Sequence, residues 1–170
     1  VKKVMLTLIG VHLFLAAMTP EMFTDSSQRH YLTSGTFLSD GNDYALSVNI
    51  CMPFCLFLLF DTRSLAAKIG YGLVLLALTM CVVVTQSRGG TLAMAAMALY
   101  FWTKSERKAT TAALSVVAIV VVMAVAPPAY FQRMNSIQSY QEDGSAQGRL
   151  IAWGAGMRMA MSNPLLGVGA

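Results

Sequence analysis

"GYGLVLLALTMCVVVTQSRGGTLAMAAMALYFW" (Gly70–Trp102) is two apolar runs joined by a short polar knot. Neither run repeats polar residues at helical spacing, so neither offers one face to water and one to a core. Such runs read as segments buried in lipid. The knot, "TQSRGG" (Thr85–Gly90), places an arginine where lipid-facing segments normally shed charge. It raises two questions: how the chain turns there, and what Arg88 does.

Composition agrees with the membrane reading. Of 170 residues, 56% are hydrophobic and only 12% charged, against about 45–50% apolar in soluble domains. The net charge is +4. The basic residues form no stripe interleaved with aromatics, which argues against nucleic acid as a partner. They fall instead in short loops, as topology signals do.

Five apolar segments follow: Val4–Met18, Tyr44–Phe60, Gly70–Gln86, Gly89–Trp102 and Ala109–Ala126. Each is shorter than the ~20 residues of a comfortable spanning helix. The fold class is therefore all-α, a polytopic helical membrane protein with about five membrane segments. Pro53 lies inside the second segment; a membrane helix tolerates it where neighbours or waters satisfy the freed carbonyl. Lys2 and Lys3, then Arg63 and Lys68, then Lys104, Arg107 and Lys108 occupy alternate connections. Strict alternation puts all three clusters on one side, the cytoplasm by the positive-inside rule. The Arg88 joint and everything after Pro127 then face the periplasm.

The fourth segment is short, about 21 Å at ~1.5 Å per residue, against a hydrocarbon core of ~30 Å. Tyr100 and Trp102 suit an interface as aromatic anchors. With that end pinned, Arg88 is expected below the outer surface, in a protein-lined cavity. Gly89 and Gly90 permit a tight turn and close backbone approach to a ligand. A helix starting near Gly90 would add free N–H groups that favour an anion. The competing reading is an arginine that snorkels to the headgroups.

From Pro127 the chain changes character. "PPAYFQRMNSIQSYQEDGSAQG" is polar and turn-rich, and Pro127 and Pro128 end the fifth segment. "SAQGRLIAWGAGMRMAMSNP" reads as a helix capped by Ser145 and stopped at Asn163-Pro164. Leu150, Trp153 or Gly154, Met157 and Met161 recur at helical spacing and make an apolar face. Arg149 and Arg158, nine positions apart, project to opposite sides. The organisation is thus a partial helical bundle over 1–126 and the first part of a periplasmic loop, with an amphipathic helix, over 127–170. A start at Val1 and an end within "GVGA" read as part of a longer protein. Cys51, Cys55 and Cys81 lie in apolar runs without metal-ligand spacing and read as small buried side chains. His12 reads as a packed residue.

"SRGGTLAM" at the end of a segment, and "DGSAQGRLIAWGAGMRMAMSNPLLGVGA" after it, resemble the O-antigen ligase and polymerase superfamily. The specific pattern is Gly-Arg, Trp four residues after the Arg, then Asn-Pro-Leu-Leu-Gly-Val-Gly. "SDGNDYALSVNICMPF" resembles the "DPNDFA…LP" element of members associated with exosortase gene clusters, with Gly41 where those usually carry proline.

The resemblance implies multi-pass inner-membrane enzymes. They transfer a glycan from an undecaprenyl-diphosphate carrier to an acceptor, lipid A core or other, at the periplasmic face. Membrane lipid is the surrounding partner, and no cofactor is implied. Arg88 and Arg149 match the family's arginines, held to grip the diphosphate as catalytic groups. Gly89, Gly90 and Trp153 are carried over with them as substrate-binding positions. The family's histidine would lie past Ala170; His12 and His30 match no family position.

The chemistry suits arginine. Guanidinium pairs bidentately with phosphate oxygens. Charge grows on the diphosphate as the glycosidic bond breaks, so fixed cations act most in the transition state. No Asp-x-Asp motif is present, and "DGND" (Asp40–Asp43) reads as a turn entering the second segment rather than a metal site. Metal-independent chemistry is the expectation. Glu142 and Asp143 either orient an arginine or face water, and solvated loop is the favoured reading. An O-antigen polymerase of the same superfamily would use the same residues. A transporter for an anionic solute would also want a sunken arginine, but would show repeats with paired broken helices, and none is seen in the sequence.

Overall fold

The computed structural model describes residues 1–24, 38, 40–135, 144–164 and 167–168, with Ser145 as backbone only. His30, Glu142, Asp143 and the Ser145 side chain lie outside the described residues, as do positions 165–166 and 169–170 of the "NPLLGVGA" element. The described residues contain eight helices and no strand. These are α1 (Lys2–Ala17), α2 (Glu21–Thr24), α3 (Gly41–Asp61), α4 (Leu65–Val84), α5 (Arg88–Lys104), α6 (Lys108–Val125), α7 (Pro128–Asn135) and α8 (Gly144–Ser162). The chain forms two compact units, Val1–Phe131 and Gln132–Ala170.

Each of the five apolar segments is a helix, and three of them, α3, α4 and α5, start at a side-chain cap. Asp40 accepts from the Asn42 N–H at the head of α3. Ser64 accepts from the Ala67 N–H at α4, and Ser87 from the Gly90 N–H at α5. Each cap satisfies an N–H with no intrahelical partner, so these helices begin before the apolar run does. The turn read at "DGND" is the start of α3. Three helices, α3, α4 and α6, are long and apolar enough to cross a membrane. The protein is an all-helical one of membrane type. The other two, α1 and α5, have 16 and 17 residues.

In the first unit α3 is central, packing most extensively on α4 and then on α1 and α5. Tyr44, Ala45, Val48, Met52 and Cys55 of α3 are at most 1% exposed. They meet Leu78, Cys81 and Val82 of α4. α3 runs unbroken through Pro53, whose missing N–H leaves the Asn49 carbonyl without its helical donor. The outward sides of α6, including Val116, Val117, Ile119 and Val120, are exposed and apolar, as a lipid-facing helix requires.

His12 is a packed residue, as read. Its Nε2 lies 2.6 Å from Ser47 Oγ and its Nδ1 2.8 Å from the Leu8 carbonyl. The Tyr44 hydroxyl donates to the His12 carbonyl at 3.0 Å. All three cysteines are buried and free. At one end of the unit Lys2 pairs with Asp61, joining the start of α1 to the end of α3. The alternation of the helices puts Lys104 and Lys108 at this same end and Arg88 at the other.

The second unit holds α8. The apolar stripe Leu150, Trp153, Met157 and Met161 is exposed along its length. Ile151 and Met159, also exposed, fall off the stripe, so segregation of polar from apolar is partial. The helix stops at Ser162, before Asn163-Pro164, as the sequence predicts.

Candidate functional site at the head of helix α5

The joint between α4 and α5 is three residues, Thr85–Ser87, all buried. Thr85 donates its hydroxyl to the Val82 carbonyl at 2.7 Å and accepts from the Ser87 N–H at 3.3 Å. Gln86 turns the chain with φ of 51°, a left-handed conformation uncommon outside glycine. Ser87 then caps α5: its Oγ accepts from the Gly90 N–H at 3.1 Å and donates to Asn42 Oδ1 of α3 at 2.8 Å.

Arg88 is the first residue of α5 and is half-buried. The helix therefore starts earlier than its apolar run and also ends later, at Lys104. Its 17 residues span about 25 Å at ~1.5 Å per residue, more than the length that placed Arg88 deep in the membrane. What holds Arg88 in place is the polar turn before it and the α3 contact after it.

The two glycines have different surroundings. A Cβ on Gly89 would meet nothing within 4 Å, and Gly89 is exposed. A Cβ on Gly90 would stand 2.7 Å from Ala45 Cβ, closer than carbon atoms approach. Asn49 Nδ2 donates to the Gly90 carbonyl at 2.9 Å. The close approach at Gly90 is thus made by α3, and its N–H is taken by Ser87. The open backbone expected for a ligand is at Gly89 alone. Thr91, next in α5, accepts from the Tyr130 hydroxyl of α7 at 3.3 Å.

Beside this turn lies a cavity of about 340 Å³, bounded by Met22, Met80, Val83, Val84, Gln86 and Val125. It is mostly apolar, with Gln86 supplying a polar edge two residues before Arg88. In the second unit, Arg149 and Trp153 stand one turn apart on α8 and both are exposed. Arg158 Nη1 lies over Gly154 of the same helix.

Sequence reasoning found Arg88 but missed the frame around it. Ser87 carried a usable signal, a serine three residues before Gly90 at the head of an apolar run. Asn42 and Asn49 carried none, because their partners lie 45 and 41 residues away.

An all-helical membrane-type protein with an arginine held at a capped helix start, next to an apolar cavity, has the elements to meet an amphipathic anion. The match to known families narrows that class. Residues 51–170 match the family model described as O-antigen ligase, and the chain belongs to that family. Its role is accordingly glycan transfer in O-antigen and lipopolysaccharide biosynthesis. No curated protein and no solved structure matches the chain.

Proposed function

We propose that the chain contributes the donor-diphosphate site of a ligase that moves a glycan from an undecaprenyl-diphosphate carrier to an acceptor hydroxyl on the periplasmic side. The observation that carries this is the head of α5. A half-buried arginine and an open glycine backbone stand there, and Gln86, two residues before the arginine, edges an apolar cavity. A polyprenyl diphosphate is likewise an anionic head on an apolar chain.

Arg88 pairs with phosphate oxygens, and the Gly89 N–H adds the positive end of the helix. The acceptor oxygen attacks the anomeric carbon while the bond to the diphosphate breaks and its electrons leave with the phosphate. Negative charge gathers on the leaving group, and a fixed cation lowers that barrier. Arg149 is proposed as a diphosphate ligand in its own right, on the pattern "GR…W". Trp153, on the same face, offers an aromatic surface to sugar or lipid.

Charge supports the periplasmic side. Lys2, Lys104, Arg107 and Lys108 gather at the end opposite Arg88, and basic clusters stay in the cytoplasm. The reading predicts that Arg88→Ala and Arg149→Ala, each in the intact membrane protein, lose transfer from a lipid-linked donor while accumulating normally. Transfer at the parental rate by Arg88→Ala would overturn the site. Ligase and polymerase separate in a deletion strain: unligated long chains mark the ligase, single repeat units the polymerase.

A further inference from the structure

We propose that two asparagines of α3, Asn42 and Asn49, are positioning residues that fix the first turn of α5 and thereby aim Arg88. The proposal rests on Arg88 being the donor-diphosphate ligand.

Asn42, Ala45 and Asn49 sit three and then four positions apart, on one face of α3. That face meets α5 at three successive places. Asn42 Oδ1 accepts from Ser87 Oγ, the residue before Arg88. Ala45 touches Gly90, and only a glycine lets the two backbones come so near. Asn49 Nδ2 donates to the Gly90 carbonyl, two residues after Arg88. The Arg88 backbone is held on both sides by one rigid helix, and "DGND" gains a role beyond its turn.

Asn49 gives the argument its force. It is 6% exposed, and its Oδ1 is buried without a hydrogen-bond partner. An unpaired buried polar atom destabilises the fold. The Gly90 carbonyl does not need Asn49, because it is already the helical acceptor position for the Met94 N–H. A leucine at 49 would remove the unpaired oxygen and orphan no further backbone group. The amide is therefore a poor choice for stability and a good one for register.

The test reads accessibility, kinetics and stability together. Arg88→Cys is labelled with a membrane-impermeant charged thiol reagent, alone and combined with Asn42→Ala, Asn42→Asp or Asn49→Leu. The native cysteines are buried and serve as background. Transfer and thermal unfolding are measured in the same α3 variants with Arg88 intact. Asn42→Ala and Asn49→Leu are expected to raise labelling several-fold and to lower kcat about ten-fold, since small misplacements are expensive in rate. KM should change far less. Asn49→Leu should unfold at or above the parental temperature, and Asn42→Asp, which keeps the acceptor oxygen, should recover most of the kcat.

Labelling unchanged in both Asn42→Ala and Asn49→Leu overturns the proposal whatever transfer does. So does a lowered unfolding temperature in Asn49→Leu with parental kcat per folded molecule, which marks a structural residue only. If Arg88→Ala transfers at the parental rate, the diphosphate reading falls separately, and labelling alone then judges the latch.

Discussion

The two ends of the first unit are built from the same helices and could hardly differ more. Where α3 and α5 begin, polar groups are buried and bonded across helices: Ser87 to Asn42, Asn49 to Gly90, Tyr130 to Thr91. At the opposite end the charges are out in solvent. Lys2 and Asp61 pair while 63% and 41% exposed, and Lys108 lies 5.7 Å over the Trp102 ring at the surface. Buried polar contacts are costly to assemble and specify geometry; exposed charges are cheap and specify which way the chain is threaded. On the proposed function, position-sensitive chemistry belongs to the first end and the topology signal to the second.

The sharpest way to break this contrast is at Arg88. Arg88→Ala is expected to lower transfer by about 100-fold or more, the scale of losing one electrostatic contact to a transition state. Expression and unfolding temperature should hold. Arg88→Lys should recover only a fraction, because a lysine cannot make the bidentate phosphate pair. If lysine restores full transfer, bare charge suffices and the buried frame serves no aim.

The paired glycines come next. Gly90→Ala drives a Cβ to 2.7 Å from Ala45, so α3 and α5 must separate, at about 1–3 kcal/mol for overpacking. Gly89→Ala meets open space and gains helix propensity, so stability should hold or rise by up to about 1 kcal/mol. Chemical unfolding of the two variants checks this directly. Equal effects would mean that the helices do not meet at Gly90. Any transfer lost in a fully stable Gly89→Ala protein reports crowding of the ligand itself. Ser87→Ala removes the cap and should lower stability by about 0.5–2 kcal/mol.

These effects show how far the sequence could be read. The five helices were legible as apolar runs without a polar face, and three of them are long and apolar enough to cross a membrane. Their ends were less so: Asp40, Ser64 and Ser87 start helices ahead of the apolar residues, and a hydropathy reading sees only the latter. Arg88 was conspicuous as a charge between two apolar runs. Its environment was not, because Asn42 and Asn49 act across more than forty residues of chain and look like ordinary polar residues in place. Gly90 was visible as a glycine, but packing against Ala45, not ligand approach, explains it. On α8 the stripe was legible, whereas helical spacing alone gives no weight to Ile151 and Met159, the exposed apolar residues that lie off it.

The smallest effect belongs to the exposed end. The hydrogen bond and then the charge of Asp61 raise the Lys2 pKa above the ordinary lysine value. A raised lysine pKa means that any stability from the pair is fully present below the ordinary lysine pKa and is lost as the pH climbs through the raised one. Both side chains are solvated, so screening leaves little of it. Lys2→Met should therefore unfold at the parental temperature at neutral pH, and no difference should emerge between pH 6 and about 9, well below the lysine range. A clear neutral-pH loss that added salt abolishes would show that this pair holds α1 against α3. The exposed end would then share the work of fixing helix register that the contrast reserves for the buried one.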